Sequence, residues 1–223
     1  MAGSEFVQLF KTEIGATVYM VLISSVISYL IGLPLGILLS ATDDEGICPL
    51  PGLNRLLGLV TNLLRSVPFL IMIVISLPLT RLTVGTTLGA KAVIPPLVIS
   101  AAPYVARMAE SSFKEVDRGV IEAAKSMGAS NLQIILKVLI PESRPSLLVG
   151  AAISVTTILG YSAMAGNLGG GGLGAIAINY GYYRREPLIM WGAVILLMIL
   201  VQLIQELGLL LARRSDKRIR NIK

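Results

Sequence analysis

Histidine is absent from this sequence, and Cys48 is its one cysteine. An intrachain disulfide is impossible, and a metal cluster or an imidazole acid–base site is disfavoured. Two other stretches have residue types and spacing that invite a chemical reading. Gly166-Asn167-Leu168-Gly169-Gly170-Gly171-Gly172-Leu173-Gly174 has the glycine density of a phosphate loop, but no Gly-Lys-Ser/Thr follows it and no strand precedes it. Uncharged glycine-rich backbone at membrane depth instead belongs where it is buried in protein or lines a cavity. The second stretch, Glu122 to Pro141, is the longest mixed polar and apolar segment in a mostly apolar chain. Its chemistry is recognition, not catalysis.

The elements around that segment follow from its residue types. Asp117 can cap a short helix on which Val120, Ala124 and Met127 fall at i, i+4 and i+7, one apolar face. Gly128 suits the left-handed residue that stops this helix. Ser130 and Gln133 form a capping box for a second helix, which Pro141 is expected to block. The small Ala123 and Ala124 permit close approach, and Glu122 favours a helix N-terminus or a bond to a partner. The apolar face has two possible covers: a groove on another subunit, or the chain's own spans. A helix–turn–helix on a basic chain (net charge +6) could also read nucleic acid, but the surrounding hydrophobicity argues against it.

That hydrophobicity defines the class. Apolar residues make up 54% of the chain and charged residues 14%, with mean hydropathy +0.78, more apolar surface than 223 residues can bury in a soluble core. The chain reads as one all-α transmembrane domain, residues 1–223, with five spans at about 14–42, 57–78, 92–109, 146–165 and 188–212, each near the ~20 residues a bilayer requires. Residues 1–6 look like a vector-derived leader, and no cleavable signal peptide is present. Gly32-Leu33-Pro34-Leu35-Gly36 in the first span is either a kinked packing face or a tolerated membrane proline. Arg65 can snorkel from the end of the second span. Pro95, Pro96 and Pro103 fall in the third, and neighbours must resatisfy the backbone there. Residues 110–145 form a loop between spans.

Orientation follows from the basic residues. A cytoplasmic C-terminus puts fourteen Lys and Arg inside and five outside (Lys11, Arg81, Lys91, Arg184 and Arg185). The N-terminus then lies outside and the 110–145 loop in the cytoplasm.

The loop also resembles a known pattern. Glu122-Ala123-Ala124, three residues, Gly128, nine residues, then Val138-Leu139-Ile140-Pro141 is similar to the EAA loop of ABC importer permeases, with Val138 and Ile140 as conservative departures. Arg65-Ser66-Val67-Pro68-Phe69, Thr80-Arg81, Val84-Gly85-Thr86, Ala101-Ala102-Pro103-Tyr104 with Arg107, Gly160-Tyr161-Ser162-Ala163-Met164, Gly171-Gly172-Leu173-Gly174 and Tyr180-Gly181-Tyr182 resemble the methionine-importer branch. The resemblance covers roughly residues 15–212. It implies a type I importer permease fold in a bacterial inner membrane and a homodimer. The partners it implies are two cytoplasmic ATP-binding cassette subunits, which hold the ATP and Mg, and an extracytoplasmic binding protein delivering methionine. This chain would carry no cofactor and no catalytic residue. Val120, Glu122, Ala123, Ala124, Met127, Gly128 and Pro141 would couple it to the ATPase.

One span set encloses no pathway, so the pore is expected on a two-fold axis between copies. Met164, near the outer end of the fourth span with Tyr161 and Ser162 beside it, would face its own copy there. A flexible apolar side chain suits a plug that seals and yields; ordinary helix packing is the other reading. Another small amino acid or related solute is an alternative cargo. A secondary transporter would show paired repeats and mid-membrane ionisable groups, and a membrane enzyme would need convergent catalytic groups. The charge asymmetry makes a direct expectation: a cysteine introduced near Arg184 is labelled from intact cells and one near Lys125 is not. Labelling at both, or at Lys125 alone, overturns this topology.

Overall fold

The structure is a computed structural model describing residues 3–216; the tail cations Lys217, Arg218, Arg220 and Lys223 and the leader's Met1 and Ala2 lie outside the described residues. No strand occurs among the described residues. The helices are α1 (Gly3–Ala41), α2 (Pro51–Ser66), α3 (Phe69–Val84), α4 (Ala90–Lys114), α5 (Arg118–Ser126), α6 (Asn131–Ile134), α7 (Ile140–Glu142), α8 (Arg144–Ala165), α9 (Gly172–Ile176) and α10 (Pro187–Ser215). Four of these helices are long and apolar enough to cross a membrane, and the count reaches five where α2 and α3, bent by 107° at their break, are taken as one broken span. Residues 3–6 of the expected leader are helical: α1 starts at Gly3, and the Phe6 ring lies 4.6 Å from Phe10.

The second span is therefore not the continuous helix expected over 57–78. Pro68 supplies no N–H and has ψ 137°, so the chain leaves the helix there and α3 restarts on the Pro68 carbonyl, which accepts from Ile71 and Met72. The third span tolerates its prolines, and α4 runs through all three.

The residues group into two compact units. One comprises the segment up to Ile27, Val67–Ala101 and Val155–Ile204; the other comprises Ser28–Ser66, Ala102–Ser154 and the segment from Gln205. The first is built on Met20, Phe69, Leu97 and Ile158, with a second cluster of Phe10, Leu173, Ile176 and Ile189. Its glycine-rich segment turns the chain straight back after α8. A Cβ on Gly166 would stand 2.4 Å from the Ala175 nitrogen, and one on Gly174 2.1 Å from the Ala163 carbonyl oxygen, so backbone meets backbone. The freed donors are taken within the protein. Glu13 accepts from the Gly172 N–H at 2.5 Å, Thr17 from the Leu173 N–H at 2.9 Å, and the Gly169 carbonyl from the Gly89 N–H at 2.8 Å.

The second unit decides between the two readings of Gly32-Leu33-Pro34-Leu35-Gly36. A Cβ on Gly32 would lie 2.6 Å from the Ala102 carbonyl oxygen, and one on Gly36 2.6 Å from that of Ala106. Small residues on both helices thus set a close α1–α4 contact, as membrane helices require when dispersion rather than water drives association. Gly36→Ala should cost about 1–3 kcal/mol through overpacking, read as a lower melting temperature in detergent. Gly15→Ala, on the same helix with nothing within 4 Å of the added carbon, should be neutral or slightly stabilising.

Candidate functional site

The loop between α4 and α8 folds through local interactions. Asp117 caps α5, its Oδ1 accepting from the Gly119 N–H at 2.7 Å. At the other end Gly128 has φ +80°, and nothing lies within 4 Å of the place a Cβ would occupy, so backbone conformation alone requires glycine there. The Ala129 N–H reaches the Ala124 carbonyl and the Gly128 N–H the Lys125 carbonyl, closing a Schellman motif. Ser130 and Gln133 make the reciprocal capping box that starts α6.

Pro141 does not block the second helix, contrary to expectation. Ile135–Leu139 widens into a π-helical turn, in which the Ile140 N–H bonds the Ile135 carbonyl, and Pro141 sits inside α7. The wider turn makes room for a ring that would clash with an α-helical carbonyl.

The apolar face of α5 also differs from its expected register. Ala124 is 5% exposed and packs with Ile47, Phe113, Val116, Ile134 and Leu139, with Ile121 alongside. The helix folds back on its own chain along that line. Val120 and Met127 instead share the outer face with Ala123, spaced i, i+3, i+7. Met127 is 81% exposed, and Leu132 and Leu136 extend the apolar surface beyond the turn. The exposed apolar face of α5 is thus Val120, Ala123 and Met127, with Ala124 as its anchor.

Charged groups flank this anchor. A cavity of about 450 Å³ is lined by Asp43, Glu45, Lys114, Arg118, Glu122 and Lys125 over the floor of Ile47, Phe113 and Leu139. Arg118 pairs with Glu45, tying the start of α5 to the loop after α1. Lys114 reaches Asp43 at 2.7 Å and Glu110 at 3.0 Å. The hydrogen bond from Lys114 holds the Asp43 carboxyl below its ordinary range. Glu110, buried and bonded also to Arg107 at 2.6 Å, was not singled out by sequence reasoning. Its signal was the spacing Arg107, Glu110, Lys114 on one face of α4.

The gate candidates lie in the other unit. Met164 is half exposed near the end of α8. Tyr161 is partly buried and stacks on Phe69 at 4.6 Å and 9°. Ser162 is buried, and its hydroxyl bonds back to the Leu159 carbonyl at 2.7 Å, so it offers no group to a pathway. Within this chain only Met164 of the three presents an open side chain.

Three comparisons bear on this arrangement. Residues 32–221 match the family model for the binding-protein-dependent transport system inner membrane component. The probable D-methionine transport system permease protein MetI of Vibrio cholerae is 49% identical over 210 residues, 94% of this chain and 93% of the relative. The methionine import system permease protein MetP of Bacillus subtilis is 44% identical, covering 81% of this chain and 82% of the relative. A chain from the MetNI methionine ABC transporter, solved in inward-facing conformations, superposes with TM-score 0.95 at 40% identity, covering 97% of this chain and 100% of that one.

The two alanines separate folding from recognition. Ala124→Glu should bury an unpaired carboxylate and cost roughly 2–5 kcal/mol or prevent folding. Ala123→Glu should change stability by no more than about 0.5 kcal/mol. Melting temperatures of the two purified variants measure the contrast, and equal losses would refute an inward Ala124 and an outward Ala123.

Proposed function

The chain belongs to the family of binding-protein-dependent transport system inner membrane components, and on that basis we propose that it is the methionine-translocating permease subunit of an ATP-driven ABC importer. It is a multi-pass inner-membrane protein and not an enzyme: hydrolysis is the task of a separate ATPase subunit, which would hold the ATP and Mg. The full assembly is two copies of this chain, two ATP-binding cassette subunits and an extracytoplasmic binding protein that delivers D- or L-methionine. The N-terminus faces outward and the C-terminus the cytoplasm.

One observation carries the coupling role: α5 presents Val120, Ala123 and Met127 outward while Ala124, the Arg118–Glu45 pair and both caps fix it to its own chain. Such a helix can fill a groove on the ATPase and move only with the body it is fixed to. ATP binding draws the two ATPase subunits together, and each α5 carries its permease half with it. Access then alternates between two packed arrangements. Met164 from each copy closes the pathway on the two-fold axis in the resting arrangement, where its flexible thioether seals against its mate.

Co-purification and uptake test this reading together. The wild-type chain should bring down its ATPase and support methionine uptake in proteoliposomes with the binding protein. Ala123→Glu should fold, lose most of the ATPase and lose uptake. Normal assembly and uptake in that variant removes α5 from the interface, and stimulation by a different amino acid but not methionine replaces the cargo. For the gate, Met164→Ala in the assembled complex should raise basal methionine leak; an unchanged leak returns Met164 to ordinary packing.

A further inference from the structure

Glu110 lies at the centre of a chain of polar contacts that the coupling role above does not use. Its two carboxylate oxygens are both engaged: Oε2 accepts from Arg107 Nη1 at 2.6 Å and Oε1 from Lys114 Nζ at 3.0 Å, with the side chain 9% exposed. Each cation has a further partner on another helix or loop. Lys114 also binds Asp43, just past the end of α1, at 2.7 Å. Arg107 Nη2 donates to the Gly58 carbonyl at 3.1 Å and to Asn62 Oδ1 at 3.0 Å, both on α2. The contacts run without a gap from the exit of α1, through one face of α4, to α2.

We propose that Glu110 is a positioning residue: by holding Arg107 and Lys114 on its own helix α4, it aims the first at α2 and the second at the exit of α1, and so makes the three elements a single lever for the coupling helix. The inference rests on α5 being the element that docks on an ATPase. A buried carboxylate between two cations adds little to stability compared with an apolar core of the same volume. It does fix geometry, because both carboxylate oxygens, themselves buried, are held in directional bonds that orient the two cations. The lever begins at α5, which is joined to this body by the Arg118–Glu45 pair and by Ala124 against Phe113 and Leu139. It ends at Gly58 and Asn62 of α2, the helix that leads to the break at Val67-Pro68. Displacement of α5 is thereby delivered to α2.

Asp43→Ala removes the outer partner of Lys114, and Asn62→Leu removes the side-chain partner of Arg107 on α2 while leaving its bond to the Gly58 carbonyl. Both side chains are at least partly exposed, so folding is not at stake. The assembled transporter, with its ATPase subunits and binding protein in proteoliposomes, is assayed for methionine taken up per ATP hydrolysed. Each variant should keep wild-type assembly and melting temperature while this ratio falls roughly two- to thirtyfold. The double variant should be no worse than Asp43→Ala alone, because a chain already cut at the exit of α1 transmits nothing more. Glu110→Gln should match the double; if it does not fold, the two end variants decide. An unchanged ratio in either end variant, or losses that multiply in the double, overturns the proposal and leaves Glu110 a structural residue. If the wild-type chain captures no ATPase or takes up no methionine, the functional reading has failed instead.

Discussion

A backbone N–H or C=O buried without a partner costs several kcal/mol in hydrocarbon and is costly in any protein interior, and the irregular turns described above are shaped by that fact. Where the chain turns back after α8, side chains of α1 are recruited as acceptors: Glu13 and Thr17 take the amides of Gly172 and Leu173. Where proline interrupts a helix, the neighbouring geometry adjusts. The turn before Pro141 widens so that the Ile140 amide reaches back to Ile135, and α3 restarts on the carbonyl of Pro68. The same rule gives the glycine-rich segment its composition. Only residues without a side chain let two backbones come close enough to bury a turn without leaving water-sized gaps around its polar groups.

Two packing regimes follow from the two solvents. Between spans, lipid competes with protein for apolar surface, so helices gain by approaching closely. Gly32 and Gly36 on α1 meet Ala102 and Ala106 on α4, and Gly208 on α10 meets Ala152 on α8. Around α5 and α6 the core is larger and aliphatic or aromatic: Phe113, Ile134 and Leu139 close over Ala124. There water is excluded, and the ordinary hydrophobic effect applies. Charged groups gather around that same region, on the cavity rim and along α4, and pair with each other rather than with lipid.

How far the sequence could be read depends on the reach of each interaction. The Asp117 cap, the left-handed Gly128 and the Ser130–Gln133 box span three residues or fewer, and the structure forms all of them as their spacing implies. The long uncharged runs likewise declare four spans directly. What the pattern could not supply was direction. Ala123 and Ala124 are equally small and differ by one step around the helix, so only the position of Phe113 and Leu139, from other helices, decides which alanine points inward. The break at Pro68 is similar, since Pro95 and Pro96 sit unbroken within α4. The Glu110 contacts were half legible, because Arg107 and Lys114 share its helix face, while Gly58, Asn62 and Asp43 come from distant segments.

An isolated helix of nine residues, the length of α5, is not stable in water, because nucleation costs more than so few turns return. Its order must therefore come from what surrounds it, and each contribution is visible: a cap at the front, a Schellman closure at the back, one buried alanine and an ion pair to the loop after α1. None of these uses the outer face. A partner that binds Val120, Ala123 and Met127 meets a surface already held in its bound shape, so little affinity is lost to ordering it. The same anchoring makes α5 useless as a freely swinging arm. Force applied to its outer face would pass into α1, α4 and the core around Phe113, as the coupling role proposed above requires.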